Sequence, residues 1–230
     1  MYQKMNSTNN TRQAAWIAIG SLFSFGFGII SSMILSRYFD KADYGTYKQV
    51  IYVYNTLLAV FTLGLPRAYS YFLPRVSNKE AKSVINKINT LFFILGGIFS
   101  LVLFFGSGYI AELMNNLELE KAMKIFSPVP LLMLPTMGLE AILATYQKSK
   151  FLALYNIITR CSMLVCVTVP IIFEIGGYIE AIYGFVLASV ISFIVALYLK
   201  YMPVKQYPKD TTSISYKNIL YNTGNVANNL

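Results

Sequence analysis

The sequence predicts an all-α integral membrane protein, a bundle of six transmembrane helices. Three observations predict it. Of the 230 residues, 56% are hydrophobic and only 13% are charged, against about 25% charged in a soluble domain. Mean hydropathy is +0.53. The apolar residues are gathered into six runs, each long enough to cross a hydrocarbon core of about 30 Å at about 1.5 Å per residue. Backbone groups cannot stay unpaired in lipid, so each run is expected to be helical. The same composition excludes a soluble globular domain, and it excludes disorder, whose signature is low hydrophobicity.

The first run covers residues 14–36. Lys4 and Arg12 precede it as in a signal peptide, but it exceeds the about 7–15 residues of a signal core and reads as an uncleaved first span. The second run, 47–65, is stopped by Pro66. Asp40 and Asp43, just before it, sit where a helix start favours acids. The third run, 88–110, is preceded by Ser77 and Glu80, the spacing of a capping box, so its helix is expected to begin before Lys79. The fourth, 125–146, contains Pro128, Pro130 and Pro135, which read either as a gating kink or as irregularity near one end. The fifth, 151–173, carries Pro170 near its end and is followed by a Gly176-Gly177 turn. The sixth, 179–201, is ended by Pro203. Residues 203–230 form a polar tail in which Ser215 could cap a further helix.

The net charge of +9 is explained by orientation rather than by nucleic acid, because the basic residues fall between the apolar runs. With the N-terminus in the cytoplasm, thirteen basic residues lie inside: Lys4, Arg12, Arg67, Arg75, Lys79, Lys82, Lys87, Lys148, Lys150, Lys200, Lys205, Lys209 and Lys217. Only Arg37, Lys41, Lys48, Lys121 and Lys124 lie outside. This bias predicts a multi-pass protein of the cytoplasmic (inner) membrane with both termini cytoplasmic.

Histidine is absent, which excludes His-based acid–base catalysis, His metal ligands and Ser-His-Asp triads. Cys161 and Cys166 lie in one apolar run without CxxC spacing, so neither a metal site nor a disulfide framework is indicated. No cofactor and no metal are implied, and the chain does not read as an enzyme.

Several features remain as functional candidates. Gly20, Ser24, Gly28, Ser32 and Ser36 recur every four residues in the first run, and Gly184, Ala188, Ser192 and Ala196 do so in the sixth. Each set forms a stripe along one helix face. Such stripes let helices pack closely, or they line a cavity. Glu140 and Arg160 are charges within the fourth and fifth runs. Each needs a partner or a water-filled cavity, and the two could pair with one another. Arg67, beside Pro66, is either a cytoplasmic anchor or a guanidinium placed for phosphate. Arg37 could serve the same purpose from the other side. Tyr52 and Tyr54 could stack on sugar rings or pack in the interior.

The stretch Leu35-Ser-Arg-Tyr-Phe-Asp-Lys-Ala-Asp-Tyr-Gly-Thr-Tyr47 resembles the loop after the first helix of the polysaccharide-biosynthesis transporters, including Wzx-type O-antigen flippases. Leu63-Gly-Leu-Pro-Arg-Ala-Tyr-Ser-Tyr71 is similar to that family's second-helix end. The wider superfamily holds the MATE exporters and the lipid II flippases. The resemblance extends to about Lys217 and covers one of the two six-helix lobes usual in the family. Ser215-Tyr-Lys-Asn-Ile-Leu220 then looks like the lead into a seventh helix, as in an N-terminal half.

The resemblance implies translocation of a polyprenyl-diphosphate-linked oligosaccharide, as in lipopolysaccharide O-antigen synthesis. It further implies an electropositive cavity completed by a second lobe or a parallel homodimer. It assigns Arg37 and Arg67 to substrate by motif position, whereas Arg160 and Glu140 rest on membrane depth. The alternatives are half of a MATE-like drug or cation exporter and a non-transporting membrane fragment or assembly partner. An exporter cavity would be acidic, and the first three runs contain no Asp or Glu.

Overall fold

The computed structural model describes residues 7–62 and 64–206. Lys4 and the polar tail from residue 207, including the Ser215–Leu220 stretch, lie outside the described residues, as does the side chain of Arg12. The described residues contain helices and connecting turns and no strand, and six segments are long and apolar enough to cross a membrane.

Helix α1 (Ser7–Tyr38) and α2 (Lys41–Thr62) are joined by a tight turn, in which the Asp40 carboxylate accepts from the Asp43 N–H at 2.8 Å. Pro66 does not simply end the second span. Gly64 adopts a left-handed conformation (φ 71°), and Pro66 opens a short helix, α3 (Pro66–Phe72), in the first-turn position where its missing N–H costs nothing. A 3₁₀ turn then leads to α4 (Asn78–Leu113), the longest helix among the described residues. Its capping box is complete: the Ser77 side chain accepts from the Glu80 N–H, and the Glu80 carboxylate accepts from the Ser77 N–H at 3.0 Å. At 36 residues α4 spans about 54 Å, so its charged first turns extend well past the apolar run.

The fourth span is not one helix. It is divided into α5 (Glu118–Phe126), α6 (Val129–Met133), a 3₁₀ turn (Leu134–Thr136) and α7 (Leu139–Thr145). The three prolines account for the breaks, since each withdraws a backbone donor. Gly138 (φ 76°) completes the last break, and a side chain there would overlap the Tyr69 ring. Helices α8 (Ser149–Ile172) and α9 (Tyr178–Tyr201) form a regular hairpin, with the Gly177 N–H donating to Glu180 at 2.7 Å in the turn.

The packing divides into two slabs. In one, α1 lies along α8 and α8 along α9. In the other, α4 packs on α5 and α6, and α2 packs on α5. Helix α9 borders both. An aromatic line ties the second slab to α9. Phe61 stacks on Phe99 at 4.5 Å, Tyr54 sits between Phe99 (5.7 Å) and Phe126 (5.3 Å), and Phe126 meets Phe185 at 5.1 Å. Each such pair contributes about 0.5–1.5 kcal/mol beyond its buried area. Tyr54 is therefore a core residue, whereas Tyr52 is exposed on the outside of α2.

Candidate functional site

The two small-residue stripes do different things. In α9, Gly184 lies so close to α8 that a Cβ would strike the Cys166 carbonyl, and Ala188, Ser192 and Ala196 are fully buried. That stripe is a packing seam. In α1, Gly20 packs against Ala153 of α8, but a Cβ on Gly28 would meet nothing within 4 Å. From Ser24 to Ser36 the stripe lines an open groove of about 820 Å³, within the range of about 300–1,000 Å³ of small-molecule sites.

Three helices build the groove. Helix α1 supplies Ser24, Gly28, Ser32 and Ser36, helix α8 supplies Asn156 and Arg160, and helix α2 supplies Tyr44. A narrower pocket of about 200 Å³ continues between α1, α2 and α8 and is lined by Lys48 and again by Arg160. It exists because α1 leans on α8 and has few contacts with α2. Across this gap Lys48 Nζ donates to Ser32 Oγ at 3.1 Å and lies 5.2 Å from the centre of the Tyr44 ring. Tyr44 and Lys48 are one turn apart on α2, so they face the same way.

The chemistry of the lining is one-sided. Arg160 lines both the groove and the pocket, Lys48 lines the pocket, and among the described residues no carboxylate lines either. The serines have a second role. Ser24 Oγ donates to the Gly20 carbonyl at 2.8 Å and Ser36 Oγ to the Met33 carbonyl at 2.9 Å. Their protons are thus spent on their own helix, and their lone pairs remain as acceptors for hydroxyl donors. The rim is apolar: Phe25, Ile29 and Met33 line it and are 74%, 60% and 65% exposed.

Of the sequence candidates, Arg160 and the Ser24, Gly28 and Ser32 stripe come together here. Arg37 lies exposed in the last turn of α1, Arg67 exposed in the first turn of α3, and Glu140 exposed in the first turn of α7. None of these three lines the groove. Glu140 and Arg160 form no ion pair; among the described residues the ion pair is Lys124–Glu120, at 2.6 Å. Sequence reasoning placed Lys48 among the outer loop charges and passed over Tyr44 and Asn156. The Tyr44–Lys48 spacing was the available signal, but it points into a site only once α1 is seen to lean away from α2.

A family model described as polysaccharide biosynthesis protein matches residues 11–227, nearly the whole chain. The chain belongs to this family. Its groove therefore sits in a multi-pass membrane protein of polysaccharide biosynthesis, with a transporter-like helical fold. Among curated proteins and among solved structures, none matches the chain.

Proposed function

We propose that this chain translocates a lipid-linked oligosaccharide across the inner membrane for surface polysaccharide synthesis, with the headgroup carried in the α1–α2–α8 groove. The observation that carries the reading is an open groove that, among the described residues, has two cations, no carboxylate and a row of serine acceptors along it and the pocket continuing from it. Arg160 and Lys48 suit a diphosphate: the guanidinium pairs with phosphate oxygens two at a time, and the ammonium adds a point charge. Ser24 and Ser36 suit sugar hydroxyls as donors. The apolar rim at Phe25, Ile29 and Met33 leaves the lipid tail in the bilayer. A drug or cation exporter would need acids in the groove, so the lining favours the anionic substrate.

Three helices wall the groove, and its rim faces outward. We take the missing wall to be a second lobe or a parallel second copy, the arrangement from which rocking would give alternating access. The positive-inside bias supports cytoplasmic termini in this reading. In this reading Arg37 and Arg67 act as entry charges outside the groove, and Glu140 takes no part.

The test is translocation in proteoliposomes, read as the fraction of a polyprenyl-diphosphate oligosaccharide reached by an impermeant glycosidase. Wild type is expected to raise that fraction over empty vesicles. Arg160→Ala is expected to abolish the rise while the protein is still recovered in the membrane. Equal activity of Arg160→Ala and wild type would overturn the groove assignment.

A further inference from the structure

Neither tyrosine singled out in the sequence lines the groove: Tyr54 is in the core and Tyr52 is exposed on the outside of α2. Tyr44 does line it. Among the described residues the Tyr44 hydroxyl has no hydrogen-bond partner, whereas Ser24 and Ser36 are bonded to their own helix and Lys48 to Ser32. Tyr47, on the wall of the narrower pocket, is buried and edge-on to Phe39 at 6.4 Å, so packing accounts for it.

The polar side chains follow one another along the groove. Asn156 stands beside Gly20, its Nδ2 3.4 Å from where a Gly20 Cβ would lie. Arg160, one turn further along α8, shares the narrower pocket with Gly28, Ser32 and Lys48. Tyr44 is one turn of α2 beyond Lys48, about 6 Å nearer the α1–α2 turn, and lines the groove with Met33 and Ser36. The cations are thus in the middle, with an amide on one side and a phenol on the other.

The two ends are not alike. At the amide end α1 is packed on α8, with the Gly20 Cβ position 3.1 Å from the Ala153 Cα. At the phenol end the last turn of α1, Ser36 to Tyr38, is exposed. A diphosphate held at Arg160 and Lys48 therefore has the open end, with room for a chain of sugars, on the Tyr44 side. The step of about 6 Å from Lys48 puts the first sugar unit beside the Tyr44 ring. One face of a pyranose is lined by C–H groups, and an aromatic ring covers that face while the hydroxyls stay free to bond. Acceptors are at hand in the Tyr44 hydroxyl and in Ser36 Oγ, whose proton is spent on the Met33 carbonyl. The Lys48 ammonium lies over the same ring, 5.2 Å from its centre, so phosphate and sugar contacts adjoin.

We propose that Tyr44 is the specificity residue of the groove. Its ring takes the C–H face of the sugar joined to the diphosphate. The bound substrate then has one polarity, with the diphosphate toward Gly28 and Ser32 and the sugars toward the α1–α2 turn. The inference rests on the proposed function and adds the residue that tells a glycosylated diphosphate from a bare one.

The test is equilibrium binding to the full chain in lipid nanodiscs of two probes with the same lipid chain, polyprenyl diphosphate and polyprenyl-diphosphate hexose. Wild type is expected to bind the hexose compound about tenfold more tightly, the upper worth of an aromatic contact. Tyr44→Leu is expected to remove that difference, and Tyr44→Phe to keep most of it. A difference that survives Tyr44→Leu would overturn the proposal. So would equal losses for both probes, because a ring that merely props Lys48 has that signature. If Tyr44→Leu is not recovered, Tyr44→Trp in a Trp16→Phe background, which leaves one tryptophan, decides. Its emission is expected to change with the hexose compound and not with the bare diphosphate, and the same emission with both counts against Tyr44. Wild type that binds both probes equally also overturns the proposal. Wild type that binds neither overturns the proposed function itself, and this inference with it.

Discussion

The different fates of the two small-residue stripes give a graded stability prediction. Gly→Ala at positions 28, 20 and 184 adds the same methyl to the same kind of backbone, and each gains about 1 kcal/mol of helix propensity. At Gly28 the methyl meets nothing within 4 Å, so the gain is expected in full. At Gly20 it lies 3.1 Å from the Ala153 Cα, a contact tighter than ordinary packing, and the two effects should nearly cancel. At Gly184 it runs into the Cys166 carbonyl, which is backbone and cannot turn aside. Helices α8 and α9 must separate there, at the upper end of the about 1–3 kcal/mol of overpacking, for a net loss of about 2 kcal/mol. The span from Gly28→Ala to Gly184→Ala is then about 3 kcal/mol, or about 6–12 °C in Tm for a chain of this size. Heating detergent-solubilised protein and measuring the monodisperse fraction by gel filtration checks it. If Gly28→Ala falls as far as Gly184→Ala, the α1 stripe is packed and the groove reading is refuted.

Other outcomes follow from single contacts. Lys48→Ala is expected to weaken binding of a polyprenyl-diphosphate oligosaccharide about tenfold, the worth of one charge-assisted hydrogen bond, with little effect on polyprenol; a binding titration checks this. Asn116 Nδ2 donates to Thr46 at 2.8 Å and Gln49 at 2.6 Å, so Asn116→Leu should lower stability by about 1–3 kcal/mol through the acceptors it strands, seen as a lower Tm. Ser77→Ala breaks the capping box of α4 and should cost about 0.5–2 kcal/mol, with Ser77→Asp recovering most of it. Gly138→Ala should sharply reduce recovery from membranes, because the left-handed backbone and the Tyr69 ring both oppose a side chain.

Much of the fold was legible because its determinants are local. Six apolar runs, a capping box at Ser77 and Glu80, and glycines at 176 and 177 are each read within a few residues, and each marks a feature of the structure. The prolines of the fourth span announced irregularity, but not that it would resolve into three short helices and a left-handed glycine. Arg160 could be singled out because a charge in an apolar run is costly wherever the run folds. The groove could not, because it arises from α1 leaning on α8 rather than on α2, and sequence spacing does not choose between neighbours. The burial of Lys200 was hidden for the same reason. It stands at the end of an apolar run, where a lysine ordinarily reaches for the interface, and its partners Tyr69 and Asn89 are 131 and 111 residues away.

Occupancy of the groove by an anionic lipid-linked sugar is tested most directly by ligand protection. A single cysteine at Ser24, in a Cys161→Ser, Cys166→Ser background, is labelled with maleimide alone, with polyprenol, and with a polyprenyl-diphosphate oligosaccharide. Protection by the diphosphate compound only, lost when Arg160→Ala is added, is the predicted result. Equal labelling under all three conditions would contradict it.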